Sequence, residues 1–218
     1  MRKRTGMRKT KAGAEETRMK LLETAEHLFF EHGPAAVTFD KIALSAGMTR
    51  GALYWHFANK ADLLRALLDL APLPAEEVME RALEERHDDP LTLLQQVVIE
   101  CLGIIANDPR RQRIYTILYR CDYRGEFLSV LERERETNLR EYRQLVALFE
   151  LAQEKALLSP RWTAQAAAKT LYWLLGGILS DWLKDRSTFD LVSNTQEVLE
   201  NLFRSFRAAP PADMPRAP

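Results

Sequence analysis

Hydrophobic residues recur along most of the chain at intervals of three and four, which is the spacing of one face of an α-helix. No stretch alternates apolar and polar residues between hairpin turns, as a β-strand would. The pattern predicts an all-α fold of about nine helices. The first helix is expected over residues 15–32 and ends at Gly33, and a helix capped by Asn59 follows it closely.

Two short helices are predicted between these two longer ones. Thr38 is a suitable N-cap for the first, which ends at Gly47, and Thr49 is a suitable N-cap for the second. Neither helix would be stable alone at this length, so both are expected to pack on their neighbours. Two short helices joined by a tight turn are typical of the helix-turn-helix motif, whose second helix enters the major groove of DNA.

Longer helices are predicted beyond Pro74. Asp89-Pro90 and Asp108-Pro109 each combine an N-capping side chain with a proline at the first helical position. Further helices are expected over residues 127–155, 163–184 and 191–206. The tail at 208–218 is rich in proline and alanine and is predicted to be disordered.

The charges are unevenly distributed although they sum to zero. Residues 1–60 carry 11 Lys and Arg against 6 Asp and Glu, and the rest carries 20 against 25, so a segment of +5 precedes one of −5. This asymmetry indicates a polyanionic partner for the first segment. The cysteines and histidines lack metal-ligand spacing, so no metal or cofactor is expected. The apolar run at 171–179 is too short to span a bilayer, and a cytoplasmic protein without membrane contact is predicted.

The stretch "MTRGALYWHF" at 48–57 concentrates large polar and aromatic side chains on the second short helix. Leu53 and Phe57 are spaced i and i+4 and are expected to face the core. Arg50 and Tyr54 share another face, with Trp55 beside them, and that face is expected to meet DNA. Aromatic residues on short helices are also common in cores, and for Trp55 and His56 this alternative is open.

Each of these residue types suits a particular contact with a duplex. The guanidinium of Arg50 can bridge the O6 and N7 atoms of guanine, and Gly51 would let the helix approach the base edges. Hydroxyl, imidazole and ammonium groups can bind phosphates at the edge of the groove. The predicted phosphate contacts are Thr38, Thr49, Tyr54, His56 and Lys60. Six basic residues in the arm at 1–14 either follow phosphates or form a solubilising tail: Arg2, Lys3, Arg4, Arg8, Lys9 and Lys11.

The segments "ETRMKLLETAEHLFFEHG" and "VTFDKIALSAGMTRGALYWHFANKADLLRALLD" resemble the DNA-binding region of the TetR family of bacterial repressors, most of all its AcrR-like multidrug-efflux branch. By this resemblance, the positions that contact DNA are Thr38, Thr49, Arg50, Gly51, Tyr54, Trp55, His56 and Lys60. The stretch "MRKTKAGAEETR" is similar to the N-terminus of that branch, so Met7 is a candidate start beside Met1. The resemblance implies a helix-turn-helix domain at 15–75, with its motif at 38–57, and an effector-binding and dimerisation domain at 76–207.

A homodimer is expected, because a protein with one reading helix needs a second copy to reach the next groove. The last two predicted helices carry the apolar residues proposed for its interface: Leu171, Leu174, Leu175, Ile178, Trp182, Leu183, Val198, Leu199, Leu202, Phe203 and Phe206. Gly176-Gly177 inside one of these helices costs about 1 kcal/mol per glycine relative to alanine. Either close approach across the dimer or room for a ligand would account for the pair.

The resemblance implies a lipophilic effector bound in a cavity of the larger domain. Candidate lining residues are Tyr115, Tyr119, Tyr172 and Trp173. The predicted function is a dimeric repressor that binds a palindromic operator, is released by this effector and controls a multidrug efflux pump. The alternative is a regulator of another pathway that responds to a fatty acyl ligand, another metabolite or a protein partner. An enzyme is not expected, since no catalytic triad, phosphate loop or carboxylate pair stands out.

Overall fold

The computed structural model describes residues 11–73 and 75–209. In these ranges the backbone forms ten α-helices and one 3₁₀ turn, and the extended pairing found there is one isolated bridge between Leu158 and Arg207. The predicted all-α fold is confirmed. The elements are α1 (Lys11–His32), α2 (Phe39–Ser45), α3 (Arg50–His56), α4 (Lys60–Leu68), α5 (Ala75–Glu84), α6 (Pro90–Asn107), α7 (Pro109–Arg120), the 3₁₀ turn η1 (Gly125–Phe127), α8 (Leu128–Glu154), α9 (Ala164–Lys184) and α10 (Ser193–Phe206).

The predicted N-caps form as expected. Thr38, Thr49 and Asn59 each accept a hydrogen bond from the backbone N–H three residues later, at 3.1, 3.2 and 2.8 Å respectively. Asp89 caps α6 in the same way, and Pro90 follows it at the start of the helix. Each cap satisfies an amide that has no partner within its own helix and contributes about 1 kcal/mol.

The limits of the helical regions differ from the sequence-based expectation in three places. Helix α1 begins at Lys11, so part of the predicted arm is helical, whereas residues 1–10 lie outside the described residues. Helix α5 was not predicted. Its buried residues are only Met79 and Ala82, among many charged neighbours, so the apolar pattern that would indicate a helix is weak. At the other end, the Ala208 N–H donates to the carbonyl of Leu157 at 2.8 Å, so the predicted tail begins as ordered chain.

The described residues form two compact units. The first contains the helices up to α4 together with Arg113–Glu132, and the second contains residues 73–112 and 133–209. This grouping differs from the continuous ranges 15–75 and 76–207, because Ile117, Phe127 and Val130 are buried in the same cluster as α1 to α4. Helical spacing shows that these residues are inward-facing, but it does not show which core they join.

The core of the first unit holds the short helices in place. Its fully buried members include Leu21, Leu22 and Phe29 of α1, Ile42 of α2, Leu53 of α3, and Leu63, Leu64 and Leu67 of α4. Burying each such side chain stabilises the fold by roughly 1.5–3 kcal/mol. This burial supplies the stability that seven-residue helices such as α2 and α3 lack on their own.

The core of the second unit is centred on aromatic side chains. The rings of Phe149, Trp162 and Phe203 each lie edge-on to the ring of Phe206, at centroid distances of 5.0, 5.0 and 5.6 Å. Helix α6 is the one helix in the described ranges that is long and apolar enough to cross a membrane by length and composition. Eight of its residues are buried against the rest of the unit, as is usual for a core helix.

Six residues predicted for the dimer interface lie inside a single chain. The buried ones are Leu171, Trp182, Leu183, Leu199, Phe203 and Phe206. Side chains that pack within one subunit have almost no surface left for a partner, so their burial gives the interface prediction no support at these six positions. The other five predicted residues keep part of their surface: Leu174, Leu175, Ile178, Val198 and Leu202.

Candidate nucleic-acid interface

Helices α2 and α3 are joined by a tight turn that requires glycine. Gly47 has a φ of +68°, in the left-handed region that favours this residue, and the following Met48 N–H donates to the carbonyl of Ala43 at 2.8 Å. Beyond the turn, Thr49 caps α3. The hydroxyls of Thr38 and Thr49 each accept a cap hydrogen bond and have an O–H that can donate to an anion.

The two faces of α3 divide as predicted. Leu53 and Phe57 are buried in the core of the first unit. Arg50, Gly51 and Trp55 are exposed. Trp55 keeps 72% of its surface accessible, so the alternative of a core tryptophan is wrong. A large exposed aromatic ring and an exposed arginine on the same short helix are chemistry suited to a binding surface.

Arg50 is held in a defined position on the exposed side of the motif. Its Nε atom lies 3.2 Å from Asp40 Oδ1, and one terminal nitrogen lies 3.4 Å from the Tyr54 hydroxyl. The hydrogen bond with Tyr54, followed by the charge of Asp40, raises the pKa of Arg50 above its ordinary value. The Tyr54 ring in turn packs edge-on against Phe39 at 5.2 Å. Asp40 and Tyr54 therefore orient a permanently charged guanidinium.

His56 and Lys60 lie closer to the protein interior than Trp55 does. The imidazole of His56 is half-buried and packs edge-on against the Trp55 ring at 4.5 Å. The Lys60 ammonium lies 2.9 Å from Glu126 Oε1 and donates to the carbonyl oxygens of Pro34 and Ala35 at 3.2 and 3.5 Å. Lys60 is therefore already paired within the first unit.

A cavity of about 260 Å³ lies between the helix-turn-helix and η1. Its lining consists of Thr38, Phe39, Tyr54, Ala58, Asn59, Lys60 and Glu126. Three of the predicted phosphate contacts therefore share one cavity, whereas Thr49 and His56 are not among its lining residues. Glu126 was not among the predicted site residues. It lies far along the chain from the motif, and no spacing rule connects the two.

A buried ion pair links α1 to α7 within the first unit. The side chain of Glu26 is only 2% exposed, and its Oε1 atom lies 2.7 Å from Arg113 Nε. Nearby, the Tyr115 hydroxyl donates to the carbonyl of Ala71 at 3.3 Å. The N-terminal half of the first unit is thus fastened to α7 by polar contacts as well as by its core.

The four candidate effector residues are divided between the units. Tyr115 and Tyr119 belong to the first unit, and Tyr119 is exposed. In the second unit, Tyr172 packs edge-on against Tyr142 at 6.0 Å, whereas Trp173 keeps 68% of its surface accessible. Burial, together with the charges of Glu141 and Glu134, raises the pKa of Tyr172.

Neither of the two cysteine thiols is expected to be reactive at neutral pH. Burial raises the pKa of Cys101 and of Cys121 to about 11, so each is protonated at neutral pH. Within the described ranges, no group of three or more His, Cys, Asp or Glu residues is arranged to hold a metal ion.

Two family models match the chain. Residues 21–67 match the model described as bacterial regulatory proteins, tetR family, and residues 89–208 match the C-terminal region of the MAATS-type transcriptional repressors. The transcriptional repressor BepR of Brucella suis biovar 1 (strain 1330) is 37% identical over 96% of this chain and 100% of its own length. The chain belongs to the TetR family.

Solved structures of TetR family members superpose on this structure over nearly the whole chain. The crystal structure of NalD, the secondary repressor of the MexAB-OprM multidrug efflux pump in Pseudomonas aeruginosa, superposes with a TM-score of 0.83 at 33% identity, covering 90% of this chain and 98% of NalD. The triclosan complex of SmeT, from Stenotrophomonas maltophilia, gives a TM-score of 0.78 at 26% identity, covering 93% and 99%. The predicted family and fold are confirmed.

Membership in the TetR family also determines the class of protein. The family consists of DNA-binding transcriptional regulators rather than enzymes. The prediction that the chain is not an enzyme is confirmed by this assignment and not by the absence of a catalytic constellation.

Proposed function

We propose that the chain is a cytoplasmic, homodimeric repressor of a multidrug efflux pump, which binds a palindromic operator and is released by a lipophilic small molecule. The observation that carries the proposal is the exposed face of α3, where an oriented Arg50 contacts Tyr54 and the Trp55 ring is accessible. The similarity to BepR and NalD along nearly the whole chain supports the regulated function, since NalD represses an efflux pump.

In this proposal Arg50 reads a guanine, Gly51 allows close approach, and the remaining side chains fix the position of α3 on the phosphates. The phosphate contacts are Thr38, Thr49, Tyr54, His56 and Lys60, and Trp55 is the further DNA contact. The exposed Trp55 ring can pack against a deoxyribose at the groove edge, and its indole N–H can donate to a phosphate. Contacts of this kind add affinity without reading sequence.

Replacing Arg50 by alanine is expected to abolish preference for one base pair per half-site. A bidentate arginine to guanine contact contributes about 1–3 kcal/mol of discrimination, so operator affinity should fall while affinity for a mixed-sequence duplex changes much less. Fluorescence anisotropy with duplexes from the region upstream of the gene measures both. Arg50→Lys keeps the charge and serves as the control for loss of phosphate attraction. An unchanged ratio of operator to mixed-sequence affinity in Arg50→Ala would contradict the reading role.

For the effector we propose a site within the second unit, with the half-buried Tyr172 as one wall. The triclosan complex of SmeT supports a lipophilic, aromatic compound as the class of ligand. The other three candidates have less support as lining residues of this site. Trp173 is largely exposed, and Tyr115 and Tyr119 belong to the first unit. A thermal-shift assay tests the protein with hydrophobic phenols and, separately, with fatty acyl ligands. The class that binds is the one that raises the melting temperature of the protein.

For the dimer we propose a contact made by the partly exposed positions of α9 and α10. They are Leu174, Leu175, Ile178, Val198 and Leu202. Within the described chain, a Cβ atom added at Gly176 or Gly177 would meet nothing within 4 Å. Packing inside one subunit therefore does not require either glycine, which is consistent with the close approach of a partner helix that we propose here.

Replacing Val198 by aspartate is expected to weaken the dimer about 10- to 100-fold, because a charge would be buried in an apolar contact. Sedimentation equilibrium measures the change in dissociation constant. Gln196→Asp introduces the same charge on the opposite side of α10 and is the control. Equal dissociation constants for the two variants would place the interface elsewhere.

A further inference from the structure

The ammonium of Lys60 has no spare donor in the DNA-free protein. A lysine ammonium carries three N–H donors. Three oxygens surround Lys60 Nζ: Glu126 Oε1 at 2.9 Å, and the carbonyls of Pro34 and Ala35 at 3.2 and 3.5 Å. A phosphate oxygen can reach this ammonium only by replacing one of them. Glu126 is the replaceable one, because the two carbonyls belong to the turn after α1, whereas a glutamate side chain can rotate away.

The cavity around the Lys60–Glu126 pair offers hydrogen-bond donors and a positive charge to a phosphate, whereas Glu126 itself would repel one. Thr38 and Tyr54 also line this cavity, and the hydroxyl of each can donate a hydrogen bond. Among the lining residues Lys60 carries the only positive charge and Glu126 the only negative one. The Lys60 side chain is 15% exposed and that of Glu126 is 45% exposed, so the carboxylate lies on the accessible side of the pair.

We propose that Glu126 is an intramolecular competitor of the DNA backbone, holding Lys60 in the free protein and leaving it when a phosphate binds. This inference rests on the proposed role of the helix-turn-helix in DNA binding. A phosphate that enters the cavity meets a like charge and must break the Lys60–Glu126 pair, and both effects lower affinity. Since phosphates carry no sequence information, the reduction applies equally to operator and to unrelated duplexes.

The test is the variant Glu126→Gln, which keeps the shape and a hydrogen-bond acceptor for Lys60 but removes the charge. We expect it to bind an upstream-region duplex and a mixed-sequence duplex about 3- to 10-fold more tightly than the natural chain at equal salt. Glu132→Gln is the matched control, because it removes one exposed acidic charge from the same unit. Its effect should stay below about 2-fold, since Glu132 is exposed and does not line the cavity, and exposed charges are screened by salt.

A double variant tests whether Glu126 acts through Lys60. In a Lys60→Gln background only the like-charge repulsion by Glu126 remains, so adding Glu126→Gln should raise affinity by less than it does in the natural chain. Unchanged or weaker binding by Glu126→Gln, or a gain equal to that of Glu132→Gln, would overturn the competitor role. Failure of the proposed function gives a different result: the natural chain would show no preference for upstream duplexes over the mixed sequence, whichever residue stands at 126.

Discussion

Replacing Phe203 by alanine is expected to lower the free energy of unfolding of the second unit by about 3–5 kcal/mol. The Phe203 ring is buried and lies edge-on to Phe206, which also contacts Phe149 and Trp162. Truncation removes a large apolar side chain and leaves a cavity at the end of this aromatic cluster, and both changes favour the unfolded state. Urea denaturation followed by circular dichroism, at one fixed protein concentration, measures the loss.

Leu202→Ala is the matched control for Phe203→Ala. Leu202 is the preceding residue of α10 and is only partly buried, so its truncation should cost no more than about 1 kcal/mol. The comparison also separates a core residue from an interface residue. If Phe203→Ala released monomers while the unfolding free energy of each subunit stayed unchanged, its assignment to the core would be refuted.

Replacing Arg113 by alanine is expected to destabilise the first unit by about 3 kcal/mol. The carboxylate of Glu26 would remain buried after it lost the guanidinium that lies 2.7 Å from it. A buried charge that loses an ion-pair partner does not regain the hydration it lost on burial, so the penalty exceeds that of breaking an exposed pair. The midpoint and slope of urea unfolding, with α1 to α4 followed by hydrogen exchange, give the size and the location of the effect.

A double-mutant cycle makes the Arg113 prediction specific to the charge. In a Glu26→Gln background no carboxylate is left behind. Adding Arg113→Ala should then lower the free energy of unfolding by less than about 1 kcal/mol further. Arg124→Ala is the control, since Arg124 lies in the same unit but its side chain is almost fully exposed. Additive losses along the cycle would show that the two side chains contribute independently and that the ion pair does not account for the effect.

Sequence reasoning located the helix-turn-helix well because its determinants are local. Thr38, Thr49 and Asn59 cap helices by hydrogen bonds to amides three residues away, and Gly47 supplies a left-handed turn that other residues rarely adopt. The spacing of Leu53 and Phe57 likewise fixes which face of α3 is buried. Each of these features is encoded within one or two helical turns.

Features that depend on distant parts of the chain were missed. Helical spacing marks Leu199 and Phe203 as one face of α10, but an apolar face looks the same whether it meets its own subunit or a partner. The contact of Glu126 with Lys60 and that of Arg113 with Glu26 join residues that no motif connects. Such pairings arise only once helices have packed together.

The buried and exposed faces of α3 can change independently of each other as regulators of this architecture diverge. Leu53 and Phe57 attach the helix to its domain, whereas Arg50 and Trp55 project outward and add little to the core. Substitutions at the outward positions can therefore alter the promoters that a descendant controls with little cost in folding. A duplicated gene of this kind can acquire a new regulon through a few codon changes, while its inward residues remain under selection for folding.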